Sequence, residues 1–214
     1  MKRAATIIWL ATIAFIGLSR PVYSQTAKVI FSSPEPPVTY LGIDFSQARL
    51  IGDGSAIASD FKEKHFPGIN QVVINEPKKY DIAKALQRST ITNDIAVTES
   101  INAKIEADKI TASSGADDNR LDAAAIANIV NSYDLSGKTG IGLVFIVENL
   151  NKPAAKGTMY VTFIDMASRK VLFTERMTGK ASGFGNKNYW ARSVFAVLEQ
   201  IEKSKYKEWK TRNS

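Results

Sequence analysis

The stretch TGIGLVFIVENLNKPAAKGTMYVTFIDMASRKVLFTERMTGKASGFGNKNYW, residues 139–190, decides the fold. It holds three β-rich runs, Ile141–Glu148, Thr158–Met166 and Val171–Thr178. The first is almost continuously apolar, as in a strand covered on both faces. In the second, Met159, Val161 and Phe163 share one face while Tyr160, Thr162 and Ile164 share the other. The joint Met166–Lys170 suits an antiparallel hairpin, because a parallel crossover needs a dozen residues or more. Asp165 is placed to top that hairpin by accepting turn N–H groups. Pro153 and Gly157 predict a turn between the first two runs. An antiparallel meander in the centre of the sheet follows from these features.

Outward from this stretch, the end of the chain predicts a helix from about Lys187 to Lys207, with Trp190, Val194, Val197, Leu198 and Ile201 on one stripe. Upstream, Leu121, Ala125, Ile129 and Tyr133 form a helical stripe, with Ile126 and Val130 beside it and Asp118 or Asn119 as cap. Residues 113–118 read as a loop. Ile91–Ile105 alternates, with Ile91, Ile95, Val97, Ile101, Ala103 and Ile105 on one parity, and predicts a long half-exposed strand. Asn75-Glu76-Pro77 predicts a helix start, with Tyr80, Ile82, Ala83 and Leu86 inward. A helix over Ser55–Phe66 is expected to stop at Pro67-Gly68. Tyr40–Ile51 reads as the first strand. The fold class expected is α/β (α+β): a single-domain sandwich with a mixed sheet of about five strands, ordered β-α-β-α-β-β-β-α, helices packed on it.

The N-terminus reads as a secretory signal, residues 1–24. Lys2 and Arg3 precede an apolar run from Ile7 to Leu18, too short for a typical membrane span, and Val22-Tyr23-Ser24 offers small residues for cleavage. Residues 25–39, with Pro34, Pro36 and Pro37, read as a stiff leader. The domain proper is expected over 40–207, and 208–214 as a basic tail. The 214-residue chain has no cysteine, so neither a disulfide nor a lipobox thioether can form. The formal charge of +7 belongs to the ends: residues 25–202 hold 20 basic and 20 acidic side chains. A nucleic-acid interface would show a basic face across the domain, so no nucleic-acid partner is expected.

Several chemistries lack their residues. His65 is the only histidine; zinc sites need clustered His and Cys, and no Gly-x-Ser-x-Gly elbow presents a nucleophilic serine. Asp117, Asp118 and Asp122 lack calcium-loop spacing. No metal or cofactor is expected. A carboxylate pair drawn from Asp44, Glu148, Asp165 and Glu175 would serve glycoside cleavage. The most suggestive feature is the glycine-rich join between the last strand and last helix. Lys180, Gly183, Phe184, Gly185, Lys187 and Tyr189 form a candidate contact for a partner or an anion, since free N–H groups at a helix start favour negative charge. The competing reading has the glycines turn the chain so that Phe184, Tyr189 and Trp190 pack on the sheet.

The run Met159-Tyr-Val-Thr-Phe-Ile-Asp165, then Val171-Leu-Phe173 and Gly179-x-Ala181, resembles small bacterial envelope domains of the curli-secretion lipoprotein and Tol translocation protein N-terminal type. The resemblance implies an α/β sandwich and a non-catalytic envelope role; the lipid-bearing cysteine is missing. The function expected is a periplasmic or secreted binding or assembly module whose partner is another envelope protein or a glycan, with no stable membrane anchor once the signal is cleaved. The alternative is an exported hydrolase of envelope carbohydrate.

Overall fold

The computed structural model of the protein describes residues 27–32, 37–112 and 118–213. The expected signal sequence and cleavage site, Pro34 and Pro36 of the expected leader, and most of the 113–118 loop lie outside the described residues. The described chain is a mixed α/β structure with helices on both faces of one sheet. Its central strand, β5 (Ile141–Asn151), is buried along its whole length, which is why it reads as a continuous apolar run. On one side β5 pairs antiparallel with β6 (Lys156–Asp165), and β6 pairs antiparallel with β7 (Lys170–Lys180). On the other side it pairs in parallel with β1 (Val38–Asp44) and, further along, with β2 (Arg49–Ile51). The two-residue strands β3 (Thr92–Asn93) and β4 (Thr111–Ala112) add in parallel to β1 and β2. The expected first strand, Tyr40–Ile51, is therefore interrupted, with a turn at Phe45–Ala48.

The expected strand over 91–105 is corrected. After β3 the chain forms a helix, α5 (Ala96–Asn102). Val97, Ile101 and Ile105 are spaced by four, a spacing that satisfies both strand alternation and a helical face. Two polar residues of the opposite parity, Thr98 and Asn102, are buried along with Ile95, Val97 and Ile105. Thr98 Oγ1 donates to the Leu41 carbonyl at 2.7 Å. Asn102 Oδ1 accepts from Phe45 N–H at 2.7 Å and its Nδ2 donates to the Ile43 carbonyl at 2.9 Å. From another helix Asn70 accepts from Ile43 N–H at 2.7 Å and donates back to its carbonyl at 3.0 Å. Where β3 ends, side chains thus take the place of a neighbouring strand and satisfy backbone groups that burial would otherwise leave unpaired. Gly42 makes the approach possible: it adopts φ +94°, and a β-carbon there would collide with Thr98 Oγ1.

Pro67 does not stop its helix. The helix α2 (Ala58–Asp60) passes through a π-helical turn, Phe61–His65, into α3 (Phe66–Asn75). The wider turn shifts the hydrogen-bond register, so proline stands at the start of a new α-segment, where its missing N–H costs little. The helix expected after Pro77 shrinks to α4 (Ile82–Ala85), capped by Asp81. Asp122, not Asp118 or Asn119, caps α6 (Ala123–Asn131).

One face of the sheet packs on α3 and on α7 (Asn186–Gln200), which continues through a second π-turn into α8 (Tyr206–Arg212). The basic tail is accordingly part of the fold: Trp209 is buried and stacks at a tilt on Phe173, 5.0 Å between centroids. The leader also contributes, because α1 (Ala27–Ser32) buries Ile30 and Phe31, the Phe31 ring lying edge-on to Phe163, Phe173 and Tyr206. The opposite face packs on α6 through Leu41, Val144, Ile146, Tyr160, Ile126 and Val130.

Candidate functional site

The glycine-rich join starts where β7 ends at Lys180 and α7 begins at Asn186. Gly183 and Gly185 both take positive φ, +115° and +75°, and lift the intervening residue off the surface. Phe184 is 94% exposed as a result. Tyr189 does not join it. Its ring is half-buried, edge-on to the buried Trp190 at 4.9 Å, and covered by the Lys152 ammonium 3.9 Å above its centroid. Lys187 lies along Gly68 of α3, and Asn186 Nδ2 stands 3.5 Å from His65 Nε2. His65 is half-buried, and this burial lowers its imidazole pKa. The six candidate residues thus divide: Tyr189 and Lys187 pack against neighbouring elements, whereas Phe184 projects alone and the exposed Lys180 ends a mostly half-buried strand.

That strand is the larger feature. Among the described residues, β7 pairs only with β6, so its other edge carries no strand. The Thr178 carbonyl points outward, since the Gln200 side chain donates to it at 2.8 Å. By strand alternation Arg176 and Thr174, which sit opposite Tyr160 and Thr162, also turn their backbone N–H and C=O away from β6. Glu175 faces α8 and accepts from Trp209 Nε1 at 2.8 Å and from Arg212. Arg176 faces the opposite side. It pairs with Glu148, which is fully buried and also accepts from Leu121 N–H at 2.7 Å, and with Asp118 at 3.1 Å. Asp118 is in turn held by Lys156 at 2.9 Å, whose hydrogen bond leads the effects that depress its carboxyl pKa. The exposed charges left along the edge are Lys170 and Lys180 at its two ends.

Each of the four strand carboxylates has its own partners. Glu148 and Glu175 are ion-paired as described, and Asp165 accepts from Ala167 and Ser168 N–H at 3.0 Å each, as its place in the hairpin predicts. Asp44 is buried, accepting from Tyr133 OH and Ser46 N–H at 2.6 Å each. Burial raises its pKa against the opposing pull of those hydrogen bonds. Glu148 and Glu175 lie on opposite faces of the sheet. Among the described residues there is no cluster of three His, Cys, Asp or Glu able to hold a metal ion, and no helix is long and apolar enough to cross a membrane.

Sequence reasoning missed a cleft of about 770 Å³ between α5 and α6, above the turn that interrupts β1 and β2. Its lining comes from segments far apart in the chain, so no local motif marks it. The one available signal was the width of the α6 stripe. Ile126 and Val130 are buried under the sheet, while Ala125 and Ile129 are only half-buried and line the cleft.

Comparison of the chain with protein-family models, with curated proteins and with solved structures finds no match.

Proposed function

We propose that this protein is a non-catalytic binding or assembly module of a bacterial envelope, exported by its N-terminal signal, and that it takes an extended segment of a partner protein onto the outer edge of β7. The observation that carries this reading is an eleven-residue edge strand with no strand neighbour among the described residues. Such an edge presents a row of backbone donors and acceptors to which another chain can add. The partner segment is acidic at its ends, to meet Lys170 and Lys180, and carries an apolar side chain to cover Phe184 just beyond the strand. The sequence pattern of residues 1–24, the even charge of the domain and the likeness of residues 159–181 to envelope domains support the same role.

A photo-crosslinking side chain placed at Lys170 in intact cells tests this. It is expected to give a discrete protein adduct that Thr174→Pro abolishes. Proline at position 174 removes an outward N–H while leaving the ladder to β6 in place. An adduct unchanged by Thr174→Pro, or the same adduct from a crosslinker at Ser132 on the α6 side, would overturn the reading. An adduct with a second copy of this chain would replace the envelope partner by self-assembly.

A further inference from the structure

We propose that the cleft between α5 and α6 is a second, separate site that binds an anionic amphiphile: a molecule with a hydrocarbon body and one carboxylate or phosphate head.

The cleft has an aliphatic strip in a lining that is otherwise polar, Asn128 and Ser132 included, and it owes that strip to how its helices are used. Thr98 and Asn102 of α5 are turned to β1 to replace its missing strand neighbour. The aliphatic Ile101 therefore falls on the side that faces α6. After α5 the chain contributes Ile105 and Ile110, and across the gap stand Leu121, Ala125 and Ile129. The floor is the turn Ser46–Ala48, held from below by Asp44 through Ser46 N–H and from the side by Arg120, which donates to the Gln47 carbonyl. At about 770 Å³ the space falls in the range of small-molecule sites.

The charge at the rim selects the ligand. Arg49, Lys104 and Lys109 line the cleft against a single acid, Glu106. Glu106 is taken by Lys109 at 2.8 Å. Arg49 and Lys104 have no carboxylate within 4 Å among the described residues. Two cations without counter-charge beside an aliphatic wall fit an anionic head joined to an alkyl chain. A nucleic acid would leave the wall uncovered, and a neutral apolar molecule would leave the cations unanswered. A lipid phosphate and a fatty-acid carboxylate satisfy the same geometry. This inference does not rest on the β7 edge, and the failure of either leaves the other standing.

Isothermal titration of the purified chain with laurate, with lysophosphatidylglycerol of the same chain length and with dodecyltrimethylammonium tests the proposal, each below its micelle concentration. One or both anionic amphiphiles are expected to bind one to one, and the one that binds tells which head the cleft prefers. The cationic amphiphile, butyrate and inorganic phosphate are expected to bind at least tenfold more weakly. Lys104→Glu, at an exposed position, is expected to leave the melting temperature unmoved and to weaken binding at least tenfold, and Ala125→Trp to abolish it. Equal binding of the cationic amphiphile, no binding of either anion, or unchanged affinity in Lys104→Glu would overturn the proposal.

Discussion

The carbonyl oxygen of Ser193 in α7 occupies the place where a β-carbon on Gly179 would stand. Gly179 pairs across the ribbon with Gly157, beneath the Ser193 side chain, so two glycines make a notch into which α7 sinks. The obstruction at Gly179 is backbone, not a flexible side-chain tip. Gly179→Ala therefore forces the helix off the sheet and is expected to destabilise the protein by about 3 kcal/mol or more. Gly54→Ala serves as the control: like Gly179 it lacks a positive φ, but open space surrounds it. Chemical denaturation of the two variants checks the difference, with the larger loss at position 179.

Removing Arg176 strands the buried carboxylate of Glu148. Arg176→Met is expected to cost about 3 kcal/mol, and Glu148→Gln combined with Arg176→Met to recover much of that loss, because the unpaired charge goes with it. A double-mutant cycle by denaturation measures the coupling. Additive losses would mean that the two side chains are independent.

Asn102 closes the open flank of β1 with two hydrogen bonds. Asn102→Ala leaves the buried N–H of Phe45 without a partner and is expected to cost about 2 kcal/mol. Asn102→Asp keeps an acceptor for that N–H but loses the donor to Ile43. Amide exchange at Phe45 separates the cases: fast in the alanine variant, still slow in the aspartate variant.

The pairing of Asn102 with β1 also shows what the sequence conceals. Thr98 and Asn102 read as a solvent-facing row because they are polar and alternate with isoleucine and valine. A polar side chain that completes a strand edge leaves the same trace as one that meets water. The central strands were legible because strands buried on both faces show apolar runs, and the last helix was legible because Trp190, Val194 and Ile201 repeat at helical spacing. Gly179 falls just past the third β-rich run in sequence, where a glycine needed for close approach resembles one needed for a turn. The join at 180–189 was visible as a glycine cluster, but the separation of Phe184 from Tyr189 depends on Lys152, a residue of another turn. The bare edge of β7 follows from strand order, which no local pattern encodes.

Asp44 makes stability depend on pH. Its folded-state pKa is raised, so across the window from about pH 4 upward through that raised value the folded state holds a proton that the unfolded state has released. Stability from this group is present below its ordinary pKa and is lost as pH rises, by up to about 1.4 kcal/mol per pH unit within the window. Asp44→Asn removes the titration; an amide keeps an acceptor for Ser46 N–H and a donor for the Tyr133 hydroxyl. The variant is expected to gain stability relative to the native chain as pH rises from 4 to 8, as read by denaturation midpoints. A constant gap across that range would assign Asp44 no titration on folding.

Residue-resolved amide hydrogen exchange along β7 in the purified chain addresses the open edge most directly. The outward N–H groups of Thr174 and Arg176 are predicted to exchange fast while those of Glu175 and Met177, bonded into the ladder with β6, exchange slowly. In a complex with whatever protein the crosslinker at Lys170 captures, the fast pair is predicted to become protected. Uniform slow exchange from Thr174 to Met177 in the isolated monomeric chain would contradict an edge free to accept a strand.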